Sequence, residues 1–213
     1  INTHYLKISR HAALQMSLKD IEVEPFVFLQ KKYSNLAIDD FLIAVNCPDE
    51  LRTQIISELK VEGKVSVENF FNSSVFESLK QNKAFKTYYD SHRNASHEAF
   101  QAYINSFDAD VENKGINLVD IGWGGTMQEA IYEFFNREIS ITGYYLGVAE
   151  IYDVQPKTKR FGLNFSILPF PDYNDYIIMA NMQLYEQFSA ADHGSALGYS
   201  LEVEDYALEF HKP

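Results

Sequence analysis

The sequence has little cysteine and little positive charge, and each shortage excludes a class of protein. Cys47 is the only cysteine among 213 residues, which rules out an internal disulfide and argues against a cysteine-based zinc site. The net charge of −12 argues against nucleic-acid partners and anionic membrane surfaces. No apolar run approaches the roughly 20 residues of a membrane span. We therefore expect a cytoplasmic chain with no nucleic-acid partner and no membrane span.

The composition is that of a folded globular chain. Apolar residues make up 46% and charged residues 23%, fractions too ordinary for wholesale disorder. The length allows one large domain or two small ones, with a core that needs no disulfide or metal. Because the chain starts at Ile1 rather than at methionine, we expect it to be a piece of a longer protein.

Short helices with one apolar side dominate the sequence from Pro25 to about Phe107. Ala37–Val45 is a strongly apolar stretch, and Asp49 is placed to cap the helix that follows it. Such helices must pack on one another or on a neighbouring sheet. Residues 1–113 are therefore predicted to form a mainly helical subdomain.

Strands alternate with helices in the second half of the sequence. Leu118–Ile121 predicts a strand, Met127–Phe135 has helical spacing, and Ile139–Val148 predicts a second strand. These three elements form a βαβ unit, in which we expect parallel strands and a right-handed crossover. Phe161–Ile167 alternates again and predicts a third strand. Residues 114–213 are therefore predicted to be an α/β ligand-binding subdomain.

The remaining sequence predicts an amphipathic helix and a terminal hairpin. Asp172 or Asn174 is placed to cap the helix, and Ala196–Leu201 and Tyr206–Phe210 read as the two hairpin strands. The residues expected on the apolar side of the helix are Ile177, Ala180, Leu184, Tyr185 and Phe188. The predicted fold class is thus α/β, with a helical N-terminal half followed by a Rossmann-like, βαβ-containing half with a terminal hairpin.

The segment Asp120–Gln128 joins the first predicted strand to its helix, where α/β sheets commonly bind ligands. Its glycines do not match the dinucleotide fingerprint, and no lysine follows to form a P-loop, so a standard NAD or ATP site is not supported. The segment nevertheless suits a phosphate or sugar nucleotide: glycines admit a ligand to the backbone, a carboxylate accepts from hydroxyls, and an aromatic ring stacks. The candidate ligand-binding residues here are Asp120, Gly122, Trp123, Gly124, Gly125, Thr126 and Gln128.

The same segment also has a purely structural interpretation. Thr126 and Glu129 have the spacing of a capping box, which would occupy two amides at the helix start without any ligand. Gly122 and Gly124 would then serve only to allow positive φ angles. Both interpretations stay open from the sequence.

Arg10 is a further candidate for ligand binding. Tyr5–Ile8 alternates briefly between polar and apolar residues, which is typical of a short strand that would deliver Arg10 and His11 to a loop. A basic pair in that position could hold a phosphate. The alternative is a helix or an exposed start in which Arg10 is simply solvated.

A second polar segment, Ala190–Ser195, follows the amphipathic helix. Together with Glu186 it offers carboxylate, imidazole and hydroxyl groups that could supply acid–base chemistry. We take Glu186 and His193 as candidate catalytic residues and Ser195 as a ligand contact. Alternatively, His193 interacts only with the dipole at the end of its helix.

Two other polar clusters do not predict chemistry. His92 and His97 are five residues apart, which directs them to different faces of a helix and argues against a metal site. Asp108 and Asp110 have the spacing of an aspartate-nucleophile phosphatase motif. The residues before them have helical rather than strand periodicity, so a solvated helix end is expected.

Several of these motifs together resemble the C-terminal half of large bacterial proteins classed as predicted haloacid-dehalogenase (HAD) hydrolases. The resembling stretches are Val119–Gln128, Gly143–Gly147, Glu186–Ser195, Gly198-Tyr199 and, for the segment after the hydrolase domain, Tyr5–Arg10. Such proteins are often encoded near surface-polysaccharide glycosyltransferases. The aspartate-nucleophile motif on which the hydrolase label rests has no convincing copy in this chain.

The resemblance implies a downstream module that serves polysaccharide biosynthesis. Its expected partners are the upstream hydrolase domain of the same polypeptide and a small anionic ligand such as a sugar nucleotide or phosphosugar. No cofactor is implied, and no reaction is supplied. Three hypotheses follow: a phosphate- or nucleotide-sugar-binding module, a structural or regulatory module, and a glycosyl- or phosphotransferase-type catalytic domain.

Overall fold

A computed structural model describes residues 3–149, 155–166, 172–190, 193–202 and 205–210. The helices in these ranges are α1 (Arg10–Ser17), α2 (Val27–Lys32), α3 (Ile38–Ala44), α4 (Asp49–Leu59), α5 (Ser74–Gln81), α6 (Lys83–Phe107), α7 (Val111–Lys114), α8 (Thr126–Phe134), α9 (Tyr173–Ala180) and α10 (Met182–Phe188). The strands are β1 (Leu36–Ala37), β2 (Ser66–Val67), β3 (Ile116–Asp120), β4 (Ile141–Val148), β5 (Thr158–Ser166), β6 (Ala196–Glu202) and β7 (Asp205–Phe210). None of the helices in the described ranges combines the length and hydropathy needed to cross a membrane.

The predicted α/β fold class is confirmed. Strands β3, β4 and β5 form a parallel sheet in that order, and β6 and β7 form an antiparallel hairpin. A short antiparallel pair, β1 with β2, joins the helices of the first half. The parallel sheet with its intervening helix is the Rossmann-like part of the chain.

Residue contacts divide the chain into two compact units. The sheet unit comprises Ile1–Ala13, Gln101–Leu197 and Leu208–Pro213, and the helical unit comprises Leu14–Phe100 and Gly198–Ala207. The division into subdomains after residue 113 stays a prediction.

Aromatic side chains form the core of the helical unit. Phe41 on α3 is fully buried, and its ring lies 5.1 Å from Phe26, 5.3 Å from Phe70 and 5.4 Å from Phe76. The Phe26 and Phe76 rings pack edge to face with Phe41 and the Phe70 ring is tilted against it, contacts that add to the stabilisation from apolar burial. The apolar run of Ala37–Val45 therefore forms a helix because the surrounding rings bury its residues.

Two segments of the first half depart from the predicted succession of short helices. The segment from Ser66 begins as strand β2, because its backbone pairs with β1, and a 3₁₀ turn at Phe70–Asn72 follows. Helix α6 is 25 residues long and includes the polar cluster around His92. The absence of glycine and proline from Lys83 to Phe107 allows one uninterrupted helix.

In the sheet unit, α8 covers one face of the parallel sheet. Strand register runs from Ile116 opposite Ile141 to Asp120 opposite Tyr145, so these residues share the α8 face. Ile131 on α8 is fully buried, as is Ile141 on β4, and together they anchor the core of this unit. The crossover thus sets the β3–α8 loop at the carboxyl end of the sheet.

The last predicted helix is split into α9 and α10 at Asn181. Asp172 caps α9 with its side chain, and Asp175 completes a capping box, so the first of the two predicted caps is the one used. The predicted apolar side is present in sequence, but no residue of α9 or α10 is buried. These helices therefore show an apolar side that the sheet unit leaves exposed.

Candidate functional site

The loop between β3 and α8 is fixed by backbone hydrogen bonds to the end of β4. The Gly147 amide donates to the Ile121 carbonyl at 3.4 Å, and the Ala149 amide donates to the Trp123 carbonyl at 3.0 Å. The Gly122–Trp123 peptide bond is cis. The loop backbone is thus held in place before any ligand is considered.

Positive φ angles occur at two of the three loop glycines, but not at both of the predicted positions. Gly122 has φ 140° and Gly125 has φ 74°, whereas Gly124 is not in the positive region. A Cβ added to Gly122 would lie 2.5 Å from the Gly147 carbonyl oxygen, so only glycine fits there. The prediction of a positive φ was correct for Gly122 and wrong for Gly124, because Gly125 is the residue that turns the chain into α8.

Asp120 ends β3 and is partly buried. Its Oδ1 accepts a hydrogen bond from the Ile121 amide at 2.7 Å. Burial raises the pKa of the Asp120 carboxyl above its ordinary value, while bonds from the Ile121 and Gly122 amides and the charge of Arg10 act to lower it. Asp120 is therefore a carboxylate that burial makes easier to protonate.

Arg10 lies exposed at the start of α1 rather than after a strand. The structure agrees with the alternative interpretation, a helix start at which Arg10 is exposed, and not with a strand at Tyr5–Ile8. The backbone of that segment binds a side chain instead of a neighbouring strand: the Lys7 amide donates to the Tyr103 hydroxyl at 2.9 Å. Arg10 nevertheless acts electrostatically on the Asp120 carboxyl, so these two predicted site residues lie in the same region.

Two side-chain contacts hold Trp123, the aromatic residue of the loop. Its ring stacks on Phe165, with the centroids 5.7 Å apart and the planes 16° from parallel. Its Nε1–H donates to Oε1 of Glu186 on α10 at 2.9 Å. Trp123 is only partly buried and Glu186 is exposed, so a ligand could reach both. The structure thus joins a residue of the loop to one of the second polar segment.

The predicted capping box at Thr126 was wrong. Gly125 occupies the N-cap position of α8, Thr126 is the first helical residue, and no side chain caps this helix start. Glu129 pairs instead with Arg160 of β5, a partner that sequence spacing does not reveal. The first-turn amides of α8 are consequently not occupied by the capping box that the structural interpretation required.

Gln128 was predicted to contact a ligand, but it lies in the core. It is 0% exposed, its Nε2 donates to the carbonyls of Ile141 and Lys159, and its Oε1 accepts from the Tyr145 hydroxyl. Burial raises the pKa of Tyr145, which keeps that hydroxyl a donor. The prediction fails because Gln128 points to the sheet and joins α8 to two strands.

Two hydrogen-bond contacts of His193 involve neither the residues of the β3–α8 loop nor Glu186. The His193 Nδ1 lies 2.7 Å from the Gly194 carbonyl oxygen, and its Nε2 lies 3.3 Å from the Tyr5 hydroxyl. A neutral imidazole with its proton on Nδ1 satisfies both contacts, since Tyr5 can then donate to Nε2. Ser195 is exposed. Asp192, from the same predicted segment, lies outside the described residues.

The polar clusters that predicted no chemistry have ordinary surroundings. Asp108 follows the end of α6, and Lys114 binds it with an Nζ–Oδ2 distance of 2.7 Å. His92 lies 2.7 Å from the Gln15 side-chain oxygen and stacks on Tyr88. Across the described ranges, no three His, Cys, Asp or Glu side chains are grouped as a metal site requires.

Sequence reasoning missed two groups beside the loop. Phe165 supports the Trp123 ring, and the Arg160 guanidinium lies so close to Gly125 that a Cβ there would be 2.7 Å from Nε. Both residues come from β5, which begins at Thr158; the sequence predicted this strand only from Phe161, so Arg160 lay outside the predicted strand. Its register against β4, which places Phe165 opposite Gly147, was the missing information.

Comparison of the chain with models of protein families gave no match. Comparison with curated proteins also gave no match.

Proposed function

We propose that the sheet unit binds a phosphosugar or sugar nucleotide at the β3–α8 loop, as a module of a larger HAD-like protein in polysaccharide biosynthesis. The single observation that carries this proposal is the fixed but partly exposed Trp123 ring at the carboxyl end of a parallel sheet. Phe165 and Glu186 fix the orientation of that ring. A fixed indole of this kind is suited to stacking on a sugar or a base.

The surroundings of Trp123 favour a ligand that carries phosphate. The amino terminus of α8 lies directly after the loop, and its first-turn amides and helix dipole favour an anion. Arg10 adds a positive charge near Asp120. Arg160 is balanced by Glu129, so its contribution here is to shape the loop at Gly125.

Asp120 and Glu186 give the same region two acceptors for sugar hydroxyl groups. Glu186 is exposed and binds Trp123 through only one of its oxygens in the contact described above. Asp120 is partly buried and uses Oδ1 for the Ile121 amide. A carboxylate oxygen can accept more than one hydrogen bond, so both groups retain capacity for a ligand.

One observation favours the structural alternative. The Asp120 carboxyl is held by the backbone of its own loop, as expected if its role were to shape the β3–α8 turn. In that case the loop would serve only to pack the module, for example beside the upstream hydrolase domain that the resemblance implies. This alternative predicts that no phosphosugar binds.

The third hypothesis, a transferase, gains less support. Glu186 contacts Trp123, whereas His193 contacts Tyr5 and Gly194. These two candidate catalytic groups therefore have different partners. The arrangement favours ligand binding over acid–base chemistry shared by Glu186 and His193.

Protein-observed NMR titration with UDP-glucose, glucose 1-phosphate and inorganic phosphate tests the proposal. We expect UDP-glucose or glucose 1-phosphate to shift amides of residues 120–128. Trp123→Ala and Asp120→Asn should each weaken binding by about 1–3 kcal/mol while leaving the fold intact. Glu112→Gln, which neutralises an exposed carboxylate elsewhere in the sheet unit, is the control.

Two results would count against this proposal. If none of the three compounds shifts residues 120–128, the structural alternative replaces it. If Glu112→Gln weakens binding as much as Asp120→Asn does, the ligand responds to overall charge rather than to this loop.

A further inference from the structure

The face of the parallel sheet opposite α8 carries apolar side chains that are exposed. Val119, Tyr144 and Phe161 lie side by side in register across β3, β4 and β5. They are 83%, 37% and 49% exposed, and Leu163, two residues beyond Phe161 on β5, is 66% exposed. We call these four residues the open face.

This exposure is unusual for a parallel sheet. Such sheets are normally covered on both faces, and contiguous exposed apolar residues mark interaction sites more often than isolated ones do. The rings of Tyr144 and Phe161 stack at 5.6 Å, so the open face is continuous across two strands. Within the described part of the chain, α8 is packed against the other face only.

A second exposed apolar surface runs along α9 and α10. It comprises Tyr173, Tyr176, Ile177, Leu184 and Phe188, whose exposed fractions are 74%, 62%, 41%, 49% and 88%. Tyr173, Tyr176 and Ile177 have the i, i+3, i+4 spacing of one side of α9, and Leu184 and Phe188 have the i, i+4 spacing of one side of α10. We call these residues the helix stripe. In the same chain α9 lies beside β5, yet the stripe stays exposed.

The two surfaces are complementary in charge. The segment 172–190 carries Asp172, Asp175 and Glu186 and contains no lysine or arginine. The open face is bordered by Lys159, which alternates to the same side of β5 as Phe161 and is exposed. A helix pair that is apolar and acidic therefore matches a sheet face that is apolar and edged by a cation.

We propose that a second copy of this chain occupies the open face, with the helix stripe of each copy docked on the open face of the other. Among the described residues, no helix buries the open face, and the helix stripe stays exposed, whereas parallel sheets are normally covered on both faces. A two-fold arrangement covers both surfaces in both copies, because such an interface uses the same patches on each protomer.

The exposed area is sufficient for such a dimer. Weighted by the exposed fractions, the open face and helix stripe together offer roughly 1,000 Å² per copy, against about 800 Å² per partner in a standard interface. The open face alone would offer less than half of that area. The reciprocal arrangement is therefore favoured over face-to-face stacking of two sheets.

Sedimentation equilibrium of the 213-residue chain over a range of concentrations tests this proposal. We expect a monomer–dimer equilibrium for the unaltered chain. Phe161→Glu on the open face and Phe188→Glu on the helix stripe should each weaken dimerisation at least about tenfold, since each places a charge in both copies of the contact. Val23→Glu, at a residue of the helical unit that is 68% exposed, is the matched control.

Mixing the two weakened variants provides the sharper test. A mixed dimer has one contact in which an intact open face meets an intact helix stripe, so the mixture should dimerise more strongly than either variant alone. A monomeric unaltered chain at every concentration would overturn the proposal. So would a dimer that both variants leave unchanged, or a mixture no stronger than its components. Ligand binding at residues 120–128 is measured separately, so its absence would not affect this test.

Discussion

Gly122 shows how a single missing Cβ shapes the candidate site. We predict that Gly122→Ala lowers the free energy of unfolding by about 2 kcal/mol or more. The residue has φ 140°, and the new Cβ would meet a backbone carbonyl at 2.5 Å, so the loop must shift away from β4. Urea-induced unfolding measures the change.

Gly124→Ala is the matched control for this prediction, because it alters a loop glycine whose φ is not positive. We expect a clearly smaller loss of stability for Gly124→Ala. Equal losses for the two variants would show that loop crowding, rather than backbone conformation at Gly122, sets the cost.

Asp120 gives a pH-dependent prediction. Burial raises the pKa of its carboxyl in the folded chain from the ordinary value of 3.8, so the folded state holds the proton more tightly than the unfolded state. Ionisation of Asp120 therefore removes stability as the pH rises from the unfolded to the folded pKa. We expect Asp120→Asn to show a flatter stability profile over that interval and a higher relative stability above it.

Urea unfolding of both proteins at a series of pH values from about 4 to about 7 measures this difference. The Asn side chain can still accept the hydrogen bond from the Ile121 amide, so the substitution removes the titrating group and keeps this contact of the loop. If the stability of Asp120→Asn relative to the unaltered chain increased as the pH falls, the direction of the pKa shift would be contradicted.

At the scale of elements, Gln128 joins α8 to β4 and β5. We predict that Gln128→Met lowers the free energy of unfolding by about 1–3 kcal/mol, because the Tyr145 hydroxyl and two backbone carbonyls lose their partner inside the core. Thermal unfolding followed by circular dichroism measures the loss.

Tyr145→Phe removes the hydroxyl from the same network and completes a double-mutant cycle. If Gln128 acts as a bridge, the double variant should lose less stability than the sum of the two single losses. Strictly additive losses would show that the amide and the hydroxyl act independently.

The main elements of the sheet unit could be predicted because their signals are local. The apolar run before Asp120, the helical spacing after Thr126 and the alternation up to Val148 each specify an element without knowledge of its neighbours. The capping box failed because Glu129 had a better partner in Arg160, which lies 31 residues away in sequence. Competition from a distant partner leaves no trace in local spacing.

The amphipathic segment after Asp172 shows a different limit. Its apolar periodicity correctly indicated a helical surface with one apolar side, but periodicity does not say what that side packs against. The structure leaves Ile177, Leu184 and Phe188 exposed. An apolar side on a helix therefore does not by itself predict burial in the core of the same chain.

At the scale of the whole molecule, Cys47 reports on the integrity of the helical unit. It is 2% exposed, and burial raises its pKa to about 11, with Arg52 acting in the opposite direction. At pH 8 only about one thiol in a thousand is then ionised, and the thiolate is the reactive form. We predict that Ellman's reagent modifies Cys47 in the folded chain far more slowly than in urea, and fast labelling without denaturant would contradict its burial.

The candidate site could be predicted only in part. The loop was located because it follows a predicted strand, and Trp123 and Glu186, which the structure joins by a hydrogen bond, were both among the candidate residues. Gln128 was misplaced because the side of α8 that faces the sheet depends on strand register. Phe165 was missed for the same reason, since its position beside Trp123 depends on the pairing of β5 with β4.

The most direct test of ligand binding uses Trp123, the only tryptophan in the chain. Its fluorescence reports on the candidate site alone, so titration with glucose 1-phosphate, which absorbs little where indole does, follows binding at the loop. The proposal predicts a saturable change in Trp123 emission that is weakened by Asp120→Asn and retained by Glu112→Gln. An emission spectrum unchanged by glucose 1-phosphate, together with no UDP-glucose shifts at residues 120–128, would contradict it.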